Sequence, residues 1–202
     1  MVLRIAALTL LVSGTALCDT IIFTIQGTGS GTVGSTAFNN AAFTFSVTTN
    51  TALITSFTFP DGENGFETPA VSAAGITIGG FGSGTFTDEE QLFVSNTLNT
   101  VGLTDIASGG GSMDLLDGTN TALGTYNLES SIGPLTLSDI VALNQFIDVA
   151  TSLGSVTFTA ATNVVFTASE VQVPEPATWT LGGAGLAGLL LAAGIRLLAR
   201  TG

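Results

Sequence analysis

The chain is 202 residues long, with three basic residues, fifteen acidic residues, no histidine and a formal net charge of −12. The bases are Arg4, Arg196 and Arg200, and every acid lies between Asp19 and Glu175, so the middle of the chain holds acid with no base. A body of that kind cannot neutralise phosphates, which excludes nucleic-acid binding, and it has no side chain for an internal salt bridge. Without histidine, lysine or an internal arginine, it also lacks the parts for a Ser-His-Asp triad, an imidazole metal site, a Schiff base, a P-loop or a guanidinium clamp.

In chain order, Met1 to Cys18 reads as a secretory signal peptide. Arg4 gives the positive start, Ile5 to Val12 the apolar run, and Ala16 and Cys18 the small residues before a cut ahead of Asp19. The rival reading keeps Cys18 as a lipidated residue, although Leu17 is large for the position before a lipoprotein cysteine. Cys18 is the sole cysteine, so no disulfide can form within the chain.

Residues 19–173 form the body. Apolar and polar residues alternate at Ile21-Phe23-Ile25, Phe43-Phe45-Val47, Phe57-Phe59, Ile76-Ile78, Val156-Phe158 and Val164-Phe166-Ala168. Period two puts each apolar set on one face of a strand. Turn signals separate these runs at Gly27–Gly34, Pro60–Gly65, Gly79–Gly84, Gly109–Ser112 and Asp117–Asn120. Many short strands at this spacing predict an all-β class: an antiparallel β-sandwich or a jelly-roll-like body. One departure is expected. Ser138 is placed to cap a short helix with Ile140, Leu143, Phe146 and Ile147 along one face.

One familiar catalytic route survives the elimination, a pair of carboxylates acting on a glycosidic bond. Its candidates are Glu63, Glu67, Asp88, Glu89 and Glu90, none marked as a pair, in a body with Tyr126 and no tryptophan as sugar platform. The expectation is therefore a non-enzyme. No cofactor and no metal ligand set is expected. Calcium is the one cation whose all-oxygen chemistry the composition admits. Asp61, Glu63 and Asn64 crowd one turn, Asp114, Asp117 and Asn120 another, and Asp88, Glu89 and Glu90 form a run. None fits a twelve-residue EF-hand loop, and Asp, Asn and Gly are also the ordinary residues of tight turns.

Residues 174–202 form a tail. Pro174, Glu175 and Pro176 make a stiff linker. Residues 177–195 carry no charge and as a helix would span ~28 Å, one hydrocarbon core. Trp179 sits where an interfacial aromatic belongs, and Arg196 and Arg200 stay in the cytoplasm by the positive-inside rule, leaving the body outside. Ala184, Gly188 and Ala192 recur every four residues, as in packed membrane helices, and serve equally as low-bulk filler.

Pro-Glu-Pro, a hydrophobic span and an arginine-bearing end occur in that order over Val173 to Arg200, behind an N-terminal signal. This arrangement resembles the PEP-CTERM family of exported proteins, with a basic end sparser than the pattern. The resemblance implies recognition of Pro174, Glu175 and Pro176 by exosortase, a membrane protease-transpeptidase, and an association with exopolysaccharide and biofilm matrix. It says nothing of the body, because bodies in that family vary. The expectation is a non-catalytic protein of the cell surface or extracellular matrix. It is held first in the inner membrane, with membrane, exosortase and exopolysaccharide as partners. The rivals are an extracellular glycan- or calcium-binding module and a carboxylate-based glycan hydrolase.

Overall fold

The computed structural model describes residues 19–106 and 112–171. The signal segment before Asp19 and the tail after Val171 lie outside the described residues.

Thirteen strands occupy the described residues. The long hairpin comes first, β1 (Thr20–Val33) and β2 (Thr36–Asn50). Short strands follow: β3 (Thr55–Thr58), β4 (Asn64–Pro69), β5 (Gly75–Ile78) and β6 (Gly82–Thr85). A meander is made by β7 (Glu89–Ser95), β8 (Thr100–Ile106) and β9 (Ser112–Thr119). The chain closes with β10 (Ile132–Thr136), β11 (Ser138–Val141), β12 (Val149–Thr151) and the eighteen-residue β13 (Gly154–Val171).

These strands pair antiparallel into two sheets. The first runs β10-β13-β1-β2-β5-β6, with β12 also on β13, and the second runs β11-β9-β8-β7-β4-β3. The alternation read from the sequence decides what each sheet buries. Ile21, Phe23 and Ile25 of β1, Phe43, Phe45 and Val47 of β2, and Val164, Phe166 and Ala168 of β13 are all buried. Leu92, Val94, Val101 and Leu103 are their counterparts in the second sheet, and both sets belong to one core cluster. Its centre is aromatic. The Phe158 ring lies 4.9 Å from Phe146, 5.1 Å from Phe43, 5.2 Å from Phe38 and 5.6 Å from Phe45 between centroids. Each fully buried ring of this kind contributes about 1.5–3 kcal/mol by removal from water.

The sheets are also tied by a polar contact. Thr49 of β2 and Thr68 of β4, both fully buried, share a hydroxyl hydrogen bond of 2.6 Å, and the Thr49 hydroxyl reaches the Pro69 carbonyl at 2.9 Å. Both hydroxyls of that contact are hydrogen-bonded, so neither is orphaned by burial.

Three expectations from the sequence are corrected. The glycines of Gly27–Gly34 are not a turn as a block. Strand β1 runs through them to Val33, and the turn starts at Gly34, at φ 56°. A side chain at Gly31 would collide with the Thr157 carbonyl, and one at Gly29 would come within 2.6 Å of the Phe158 ring. These glycines let β13 and its phenylalanine come close, the use of glycine inside a strand. The helix expected from Ser138 is absent. Residues Ser138–Val141 form β11, where the Ser138 hydroxyl meets Thr119 at 3.0 Å, and Asp139 and Ala142 sit at φ 48° and 65°. Left-handed backbone at two positions breaks a helix too short to nucleate alone. Phe146 still reaches the core from a turn. Finally, Phe59 lies beyond β3 and is half exposed, its ring 5.1 Å from that of Phe57.

Candidate functional site

The acidic side chains are the body's only charged groups, and the fold sends them to different places. Asp61 belongs to the hairpin turn between β3 and β4, where its Oδ1 accepts the Glu63 N–H at 3.1 Å. Asn64 opens β4, and its N–H is bound by the Thr97 hydroxyl. Asn120 caps the single-turn helix Thr121–Thr125, accepting from the Ala122 N–H at 3.0 Å. These residues do the backbone work of turns. Asp114 and Asp117, read from sequence as turn residues, lie within β9, on the outer side of the second sheet. Asp114 accepts a bond of 2.9 Å from the Thr104 hydroxyl across the ladder.

The acidic run Asp88-Glu89-Glu90 is split by strand parity. Asp88 precedes β7, and Glu89 is exposed. Glu90 shares the inward face with Leu92 and Val94 and is 1% exposed. Opposite it in β8 stands Asp105, 6% exposed and on the same face as Leu103 and Val101. Both Glu90 oxygens and Oδ1 of Asp105 have no hydrogen-bond partner among the described residues. Burial pushes the Glu90 carboxyl up from 4.5 to about 9, with the charges of Asp105 and Asp88 adding to it. Asp105 is raised by burial and by Asp88.

A second orphan lies on the opposite face. Asp117 is 8% exposed, and its Oδ1 has no partner. It occupies the gap left by Gly102, where a side chain would collide with this carboxylate and with the Phe93 ring. Burial, then the charge of Asp114, raises its pKa to about 7.

Asp105 was missed in the sequence. The signal for it was there: a charge at the inward parity of Val101 and Leu103. What the sequence lacked was the register that sets it against Glu90.

Of the candidate hydrolytic acids, Glu67 and Glu89 stand apart on the second sheet. Glu67 pairs with Phe93, four residues along β7 from Glu89, a spacing of about 13 Å in a strand, against roughly 5–9.5 Å between paired glycosidic carboxylates. Among the described residues no group of three acidic side chains could hold a metal ion. On the first sheet, a β-bulge between Gln26 and Thr28 against β13, with Asn163 at φ 53°, accompanies a shallow cavity of ≈ 280 Å³. Gln26, Thr28, Thr44, Asn163 and Val165 line it.

Of the processing residues, Asp19 is described. It is exposed, and its carbonyl accepts the Thr51 N–H at 3.0 Å. Ala16, Cys18, Pro174, Glu175, Pro176, Trp179, Arg196 and Arg200 lie outside the described residues, as does the span 177–195. Among the described residues no helix is long and apolar enough to cross a membrane.

No curated protein and no solved structure matches the chain. The family model of the PEP-CTERM protein-sorting motif matches residues 172–196, which hold the Pro-Glu-Pro triplet, the apolar run and the first of the two terminal arginines. The chain therefore carries a PEP-CTERM protein-sorting motif, the mark of an exported protein processed by exosortase at the membrane.

Proposed function

We propose that this chain is a non-catalytic protein of the cell surface or extracellular matrix, associated with exopolysaccharide, and delivered there by its tail. The signal peptide 1–18 takes it through the inner membrane. A transmembrane helix over 177–195 then holds it, with the body outside and Arg196 and Arg200 inside. Exosortase reads Pro174, Glu175 and Pro176 and removes the tail. The two sheets contributing to one core support a β-sandwich or jelly-roll-like body.

The observation that carries this reading is the sorting motif directly following a body without a single base. The test is Glu175→Ala, followed by mass spectrometry of both chain ends and fractionation of the cells. The parent should lose its tail and leave the inner membrane, and the variant should keep both its tail and its membrane location. Equal processing of the two would overturn the role of the triplet, and a stable cytoplasmic pool of the parent would overturn export.

A second reading, a binding module for extracellular glycan or calcium, draws on the shallow cavity where Gln26, Thr44 and Asn163 stand among apolar neighbours such as Phe43 and Val165. Glycan-array screening and calcium calorimetry test it, and silence in both removes it. The hydrolase reading is disfavoured by the spacing of Glu67 and Glu89 along the second sheet.

A further inference from the structure

The pair Glu90 and Asp105 has a problem that the rest of the body cannot solve. The two residues are direct partners across β7 and β8. Their parity is that of Leu92, Leu103, Val94 and Val101, so both point at the core. Cross-strand Cβ atoms stand about 4.5–5.5 Å apart, so two carboxyl heads there are within reach of each other. Ionised, they would be two like charges, desolvated, with three oxygens unpaired. One buried charged group without a partner costs more than a neutral one, and adjacent like charges add to that.

Among the described residues no neighbouring element supplies a counter-charge. Asp88, just before β7, is acidic and raises the cost. Strand β2 has no charged residue, and the segment 69–87, which runs past Glu90 through the Ala70 N–H to the Glu90 carbonyl, has none either. On β4, Glu67 has the parity opposite to the inward Thr68. On β9, the charge nearest Asp105 is Asp114, engaged with Thr104 on the outer side. Residues 107–111 contain no titratable group. The missing partner must come from solvent, and among the described residues no group of three acids is placed to hold a metal ion. One proton suffices. It turns one orphan Glu90 oxygen into a donor, and Asp105, its register partner on the same face, carries an orphan acceptor in Oδ1.

We infer that Glu90 and Asp105 share a single proton, with the Glu90 carboxylic O–H donating to Oδ1 of Asp105, and that this bond is an alkali-sensitive latch between β7 and β8 on the core side of the second sheet. At neutral pH the pair carries one proton and one negative charge. In alkali the proton leaves to hydroxide, the bond is lost, and two buried carboxylates repel each other. The end of the meander where β7 begins and β8 ends then parts from the core. An exported protein meets the pH of its surroundings without a buffered cytoplasm, so the latch sets an upper pH limit for the folded body.

Glu90→Gln tests this on the full chain, in chelator. Glutamine keeps a donor for Asp105 and cannot ionise. Between pH 7 and pH 9 the unfolding constant of the parent should rise by ~10-fold or more, while that of E90Q, with Asp117 still finishing its titration, should change by less than ~3-fold, since each pH unit over which one proton is retained only in the folded state changes that constant tenfold. Infrared spectra of the parent at pH 7 should show a protonated carboxylic C=O band that E90Q lacks. Equal pH profiles for the two proteins, or no such band in the parent, would overturn the proposal. So would calcium raising the unfolding midpoint of the parent and not of E90Q, because the pair would then be a cation site. If E90Q does not fold, a carboxyl-carbon NMR titration of the parent decides the matter. Glu90 protonated at pH 7 supports the latch, and Glu90 ionised there removes it.

Discussion

The inward positions of the first sheet read Ile21, Phe23 and Ile25 in β1, Phe43, Phe45 and Val47 in β2, and Val164, Phe166 and Ala168 in β13, with no charge among them. The same parity in the second sheet reads Glu90, Leu92 and Val94 in β7 and Val101, Leu103 and Asp105 in β8. The first sheet is held by apolar area and ring packing, which depend little on pH. The second mixes that area with carboxyl groups whose burial raises their affinity for protons. In a body without bases, an inward acid has no internal partner, so sensitivity to solvent conditions gathers wherever one occurs.

The contrast is broken most severely at the centre of the first sheet. Phe158→Ala removes the ring that touches Phe38, Phe43, Phe45 and Phe146, and should cost about 3–5 kcal/mol in urea unfolding, equally at pH 6 and pH 9. Next, Gly31→Ala drives a methyl group into the Thr157 carbonyl and should cost roughly 1–3 kcal/mol by overpacking, again with no pH dependence.

The second sheet should answer differently. Asp117 has its pKa raised from 3.8 to about 7, so the folded body holds a proton that the unfolded chain has released. Its contribution is therefore greatest below about pH 4 and declines as pH rises through that window. Asp117→Asn should remove this decline and leave the variant more stable than the parent by ~1 kcal/mol at pH 8, the low end of the cost of an orphaned buried group. A parent-like pH profile in D117N would show that Asp117 is solvated after all. An effect of similar size, but independent of pH, is expected at the polar tie between the sheets. Thr49→Val should cost about 1 kcal/mol or slightly more at every pH, because it deletes two hydrogen bonds between neutral groups.

Much of the first sheet is legible in the sequence, because period two over Ile21–Ile25, Phe43–Val47 and Val164–Ala168 reports burial locally. Less of it is legible where a distant chain decides. The glycines of β1 read as a turn, and only the approach of Phe158 and Thr157, far along the chain, makes them strand. The segment from Ser138 has helical spacing, but the ladder to Thr119 and the left-handed Asp139 take precedence. The acidic pair was half legible. Parity marks Glu90 and Asp105 separately as charges in apolar positions, while their meeting depends on the β7–β8 register. The sorting motif is the opposite case, read from contiguous residues and needing no fold at all.

The register of β1 with β13 makes Thr20 and Val171 Cα partners. The two places where the chain leaves the body are thus next-door neighbours, although 151 positions separate them in sequence. A leader peptidase acting at one end and a tail-cutting enzyme acting at the other would share the same small working area. A fluorophore attached at Asp19 would crowd it. Ser35, exposed at the β1–β2 hairpin tip beside the left-handed Gly34 and about 45 Å of strand away, is the place to put a label that watches both cuts without touching either.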